Sequence, residues 1–193
     1  KYPNQFDTEK LLKQIEEIDD IKKEYDDIKI LKGIEVDIDN QGNLDYDDEI
    51  LEKLDIVIAS IHTGFNQDKV QITNRILSAI KHPFVNIIGH PRGRILKRRS
   101  PYQLDMDKII NQAAKYNTCL EINASPYRLD LDDIYEKKAK EKGVKIAINT
   151  DSHHIAEFDN MYLGVTVARR GWLEKDDILN TMSYDNLKNF LSG

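Results

Sequence analysis

Five short runs of aliphatic and β-branched residues punctuate the chain, at 28–36, 56–61, 85–89, 118–122 and 144–149. Each is bounded by polar residues, Gly or Pro, as buried parallel strands are. Between these runs the apolar positions recur at helical spacing. The segment 6–25 opens behind Asp7, a residue type that caps helix N-termini. The segment 47–54 is short. Over 67–80 the apolar positions are Val70, Ile76, Leu77 and Ile80. The segment 105–116 starts with an acidic turn, which suits the helix dipole. The segment 131–142 stops at Gly143, a C-terminal cap signal. Further helices are expected from 158 to 191, the last near 184–191.

Strand and helix thus alternate at roughly thirty-residue intervals, which predicts an α/β fold built on a parallel sheet or barrel. A closed barrel needs eight strands and ~250 residues. With five strands in 193 residues, the expectation is an open sheet or a barrel whose first strands are absent. No G-x-G-x-x-G or G-x-x-x-x-G-K-[ST] segment occurs, which argues against dinucleotide and P-loop nucleotide binding.

Composition narrows this further. The residues are 40% hydrophobic and 32% charged, a balance that excludes disorder and supports one domain. The longest apolar runs, at 55–61 and 85–89, are far short of the ~20 residues that span a bilayer. A single cysteine, Cys119, excludes a disulfide framework and points to a reducing, cytoplasmic setting. The net charge of −6 means that any affinity for nucleic acid must be local. The chain opens on Lys-Tyr-Pro, with no Met and no signal pattern, and is expected to be a segment of a longer protein or a processed one.

The chemistry gathers after the strands. The first run ends at Glu35, the second at His62, the third at His90, the fourth at Glu121-Ile122-Asn123 and the fifth at Asp151 and His153. Parallel α/β folds build their sites at the carboxyl edge of the strands, so these residues are expected to converge. Imidazoles and carboxylates together suit Zn, Mn or Fe. A carboxylate flanked by histidines can hold two metals ~3.5–4 Å apart and clamp an in-line displacement at phosphorus. A single histidine after a strand is commonly a surface or capping residue; the coincidence at several strand ends carries the metal reading. Glu121 alternates with Leu120 and Ile122 and also reads as a charge in a polar network. His82, before Pro83, reads as structural or solvated, and His154 is ambiguous. The stretch 92–99 holds five basic residues and no acid. It reads either as a solvated loop or as a phosphate-contacting one, with Arg128 and the Arg169-Arg170 pair as possible additions.

Six segments, GIEVDI, ASIHTGF, IIGHPRGR, LEINASPYRLDL, INTDSHH and GVTVARRGWLEKDDILNT, together resemble the PHP (polymerase and histidinol phosphatase) domain. The match covers 30–182. The fourth and sixth segments resemble the version fused behind bacterial and archaeal family X DNA polymerases. The resemblance implies a distorted TIM-like β/α barrel, N-terminally incomplete here, with up to three divalent metals, Zn or Mn, at its mouth. Of the nine ligand positions of that family, the last five match Glu35, His62, His90, Asp151 and His153. The first four, including a His-x-His pair, have no match. Glu35 would bridge two metals, with His62 on one and Asp151 on the other; His90 and His153 would belong to the third. Only partial metal occupancy is therefore expected.

Arg92, Arg94 and Arg128 would hold phosphates. The implied activity is metal-dependent phosphoester hydrolysis, as a 3′–5′ exonuclease or 3′-end processing domain in DNA repair. DNA and a polymerase core in the same parent chain would be the partners. Two alternatives stand beside it: a free-standing phosphatase acting on a small phosphate monoester, and a non-catalytic scaffold for a polymerase. On this reading 1–193 is one domain lacking its first strands, with a lead-in helix in 1–27 and C-terminal helices in 158–193. Self-association through an exposed strand edge is a further expectation.

Overall fold

The computed structural model describes residues 8–191. Five strands, β1 (Gly33–Asp37), β2 (Ile56–Ser60), β3 (Ile87–Ile88), β4 (Cys119–Asn123) and β5 (Ile146–Asn149), form one sheet. Every neighbouring pair is parallel and the order is sequential, β1 to β5. A doubly wound sheet reverses direction at a switch point; this one does not, and its winding is that of a β/α barrel segment. The helices are α1 (Thr8–Ile21), α2 (Asp48–Leu51), α3 (Lys69–Ile80), α4 (Met106–Tyr116), α5 (Asp133–Glu141), α6 (Met161–Arg170) and α7 (Tyr184–Leu191).

Local chemistry sets the helix starts. Asp68 and Gln71 form a reciprocal capping box at α3. Asp105 accepts from Lys108 N–H at α4, and Asp132 from Tyr135 N–H at α5. Gly143, at φ +74°, turns the chain out of α5 where a side chain would be strained. The expected 6–25 helix is shorter: α1 ends at Ile21 and a 3-10 turn follows over Lys22–Glu24. Asp7, read as its cap, lies outside the described residues.

Two of the five strands differ from the sequence pattern for a hydrogen-bonding reason. The run 28–36 yields a strand only from Gly33. Just before it, Lys32 N–H donates to the Asp55 carboxylate, while its carbonyl accepts from the N–H groups of Asp55 and Ile56. This closes the base of the strand. The run 85–89 yields only Ile87–Ile88, because the Asn86 side chain accepts from Val57 N–H in place of a backbone rung.

Strand alternation divides the labour between the two faces of the sheet. Val36, Val57, Ala59, Ile88, Leu120, Ile122, Ile146 and Ile148 face the helices in the main core. The other parity faces inward. At the amino half of the strands it is apolar: Ile56, Ile58, Ile87, Cys119 and Ala147 pack against Leu179, Met182, Leu187 and Phe190 of the tail. At the carboxyl half it is polar, carrying Glu35, Asp37, Ser60, Glu121, Asn123 and Asn149. Burial under the tail pushes the Cys119 thiol up to about 12.

Local contacts cover part of each sheet edge. On β1, Asp37 exchanges hydrogen bonds with Asp45. On β5, the Asn180 amide takes both the N–H and the carbonyl of Ile148, and Ile178 bridges to Ile146. These contacts occupy the rungs at Asp37 and at Ile148 that a neighbouring strand would otherwise use.

Glu136 is a fully buried carboxyl on α5, and neither of its oxygens has a hydrogen-bond partner. Gly171 lies against it so closely that a Cβ there would sit 2.3 Å from Oε2. Burial, then the negative Asp133 and Asp132, raise this carboxyl to about 8 from its ordinary 4.5. The folded protein therefore holds a proton that the unfolded chain releases, so stability contributed by this group falls as pH rises from about 5 through 8. Glu136→Gln removes the titration. In urea melts its stability relative to the wild type is expected to rise across that window by a few kcal/mol. A difference independent of pH would overturn this assignment.

Candidate metal centre

Parallel register brings the first two strand ends together. Glu35 stands opposite Ile58, and Asp37 opposite Ser60. Glu35 and Asp37 are two residues apart on the inner face, as are Ser60 and His62 on β2 and the turn after it. Ser60 Oγ donates to Glu35 Oε1 at 2.6 Å. The same oxygen lies 3.4 Å from His62 Nε2 and 3.1 Å from His90 Nε2. The two imidazoles meet edge to face, with centroids 5.1 Å apart. His62 Nδ1 is hydrogen-bonded to Asp37 Oδ1.

His90 is placed by backbone as much as by its ring. It follows β3 at φ +27°, in the left-handed region, and its N–H donates to Glu121 Oε2 at 2.5 Å. Gly89 before it admits the approach of β2: a Cβ there would lie 2.3 Å from Ser60 Oγ. Glu121 Oε1 accepts from Asn149 at 2.9 Å. His90 is 2% exposed, and its Nδ1 has no protein partner.

The electrostatics follow from this packing. Burial works against the charge on Glu35, yet hydrogen bonds from His62, His90 and Ser60 outweigh it and hold the carboxyl far below its usual range. For His62 burial also opposes the charge, but Asp37 and Glu35 raise the imidazole to about 9. Glu121 lacks that much compensation, and burial pushes it up to about 7.

One donor atom from each of Glu35, His62 and His90 lies within 4.8 Å of the others. A carboxylate between two imidazoles is a borderline-hard N/O donor set, the type that Zn and Mn take. The Asp37 carboxylate behind His62 is the outer partner that fixes a ligating imidazole. The residues present therefore fit a divalent metal.

The other expected residues lie around this triad. Asp151 lines the same cleft as Glu35, Glu121, Asn123 and Asn149, of about 350 Å³. It accepts from Asn123 Nδ2 at 3.1 Å and lies 3.6 Å from Arg128 Nε. His153 is turned away: its side chain is 82% exposed, its N–H donates to Glu157, and its Nδ1 lies 2.9 Å from the Asp151 carbonyl. Arg92 pairs with Asp132. Arg94 donates to the carbonyls of Arg128 and Leu129. Among the three expected phosphate-binding arginines, only Arg128 reaches the cleft residues in these contacts. His82 pairs with Asp48, and His154 accepts from Ala156 N–H as a cap. Asp37, Ser60 and Asn149 carry the site alongside the expected residues. Their signal was the two-residue alternation with Glu35, His62 and Asp151.

The chain is 47% identical over 191 residues to the DNA polymerase/3′-5′ exonuclease PolX of Bacillus subtilis, covering 99% of this chain and 34% of that protein. It is 37% identical over 171 residues to a protein of Thermoanaerobacter sp. (strain X514) named a probable phosphatase, covering 83% of this chain and 67% of that protein. A probable phosphatase of Caldanaerobacter subterraneus matches at 33% over 181 residues, covering 89% and 68%. The chain belongs to the PHP family. It spans about a third of the PolX relative and about two thirds of the two phosphatase-named PHP relatives. No protein-family model matches it. Among the described residues, no helix of this PHP chain is long and apolar enough to cross a membrane.

Loss of a ligand and loss of its support should differ in degree. In titration calorimetry with Mn²⁺, Glu35→Ala is expected to abolish binding at the triad. Asp37→Ala should leave it intact but weaker by about 10–100-fold. Wild-type affinity in either variant would exclude that residue from the site.

Proposed function

We propose that this chain is a metal-dependent phosphoesterase domain that removes nucleotides from DNA 3′ ends, serving a family X polymerase. The observation that carries the proposal is the Glu35–His62–His90 triad, in a chain matched almost end to end by a polymerase/exonuclease relative. Zn or Mn held by these residues, with Asp151 of the same cleft as a further ligand, would supply an activated hydroxide and neutralise charge developing at phosphorus.

The chain's own groups have defined work in this reading. Ser60 keeps Glu35 ionised and oriented; Asp37 directs the His62 ring, and Glu121 seats His90. Arg128, beside Asp151, is placed to take a phosphate oxygen, a charge-assisted contact that a guanidinium can make with two parallel bonds. Arg92 and Arg94 support the loop that presents Arg128: Arg94 holds the carbonyls of residues 128 and 129, and Arg92 braces Asp132. A second reading, a phosphatase for small monoesters, is favoured by the names of the relatives that this chain covers most fully.

The two readings part on substrate. With Mn²⁺ supplied, 5′-labelled single-stranded oligomers are expected to shorten from the 3′ end, and a panel of small phosphate esters to stay intact. Turnover of the esters alone would replace the first reading by the second. Arg128→Ala should lower kcat/KM on the oligomer by at least tenfold, since it removes a charged hydrogen bond of about 1.5–3 kcal/mol.

A further inference from the structure

A strip of residues leads outward from the metal cleft, and beyond Arg128 the proposed hydrolysis does not use it. Its inner end is Arg128, 3.6 Å from Asp151. The next residue outward is Tyr127, 65% exposed. The Tyr127 carbonyl accepts from Leu96 N–H at 2.7 Å. Leu96 belongs to a tight hairpin closed by the Ile95–Arg99 bridge, with Lys97 at φ +63° at its tip. Lys97 and Arg98 are exposed there. The hairpin is rigid by construction: Arg99 donates to the Gly93 carbonyl at 2.8 Å and stacks over Phe65 at 3.9 Å. At the cleft itself Phe158, on the 3-10 turn Ile155–Asn160, is 64% exposed and lines the same space as Glu35 and Asp151.

Burial does not explain these rings. A phenylalanine in the cleft and a tyrosine next in sequence to Arg128 are left with most of their surface in solvent. The chain is acidic overall, yet 92–99 holds five basic residues and no acid. Aromatic faces interleaved with cations are the recognition surface for single-stranded nucleic acid, in which bases stack and phosphates pair. A protein partner would call for a continuous apolar patch instead, and at the Tyr127 end the strip is broken by Arg128, Lys97 and Arg98.

We propose that Phe158, Tyr127 and the Lys97–Arg98 hairpin tip form a single-strand track. It holds unstacked bases on the two rings and phosphates on the cations, and it feeds the strand end to the cleft. The inference deepens the DNA-end reading above and rests on it for the choice of nucleic acid.

The test is binding of a fluorescein-labelled oligothymidylate to the full chain by anisotropy, with an abasic phosphodiester of the same length as comparison. Tyr127→Ala and Phe158→Ala are each expected to weaken the oligothymidylate roughly tenfold, within the range for loss of one stacked base. Tyr127→Phe should bind as the wild type does. Neither alanine variant should alter abasic binding. Lys97→Glu/Arg98→Glu should weaken both ligands and flatten the dependence on salt. Circular dichroism checks that each variant is folded. No oligothymidylate binding by the wild type, equal binding by Tyr127→Ala, or equal affinity for the abasic strand would each overturn the track. Oligomer cleavage with Mn²⁺, run in parallel, separates the two proposals. Cleavage that is indifferent to Tyr127 sinks the track alone; Tyr127-dependent binding without cleavage sinks the hydrolase reading alone.

Discussion

The structure depends on one constraint: parallel strands in sequential order keep their inner-face residues in step. Because side chains alternate with a period of two, the pairing of Glu35 with Ile58 and of Asp37 with Ser60 decides which groups can meet. A slip of one residue would turn Glu35 and Asp37 into the helix-facing core and bring Ile34 and Val36 to the mouth. The apolar outer parity and the polar inner ends are therefore two expressions of one register. The core enforces the register, since no alternative buries Val36, Val57, Ile88 and Leu120 together.

A site assembled this way needs its loops fixed as well as its strands. Arg75 of α3, 2% exposed, donates to the carbonyls of Ile38 and Thr63 and to the Gln67 side chain. One helical residue thus ties together the connections that follow β1 and β2, on either side of His62. Around the mouth, Glu121 does for His90 what Arg75 does for these loops. Both are charged residues buried among hydrogen bonds, and both act by satisfying backbone groups that left the ladder. The polar groups at the mouth are in this sense continuations of the sheet by side chain.

Much of this was legible in the chain. Runs 56–61, 118–122 and 144–149 lie within two residues of β2, β4 and β5, because buried β-branched strands leave an unambiguous signal. The tail resolved into short helices, as expected, though its path over the inner face was not readable from periodicity. The run 28–36 misled because Ile28 to Leu31 look like strand, while the rungs at Lys32 go to Asp55, a contact distant in sequence. Glu35, His62 and His90 were legible as strand-end residues, and the structure brings them together. His153 was selected by the same rule, but the turn after Asp151, itself at φ +52°, points it into solvent. Asp37 was overlooked although it stands two residues after Glu35, where alternation places it on the same face.

The covered thiol of Cys119 gives this molecule an internal clock. It is the chain's only cysteine, wholly buried under Leu179 and Met182, and its thiol stays protonated at ordinary pH. An alkylating reagent can reach it only after the tail lifts from the inner face or the domain opens. Its labelling rate therefore counts excursions of the C-terminal segment, in the manner of amide exchange but at a single chosen position. The breathing of the sheet's inner face can be timed in the native sequence, with no probe introduced.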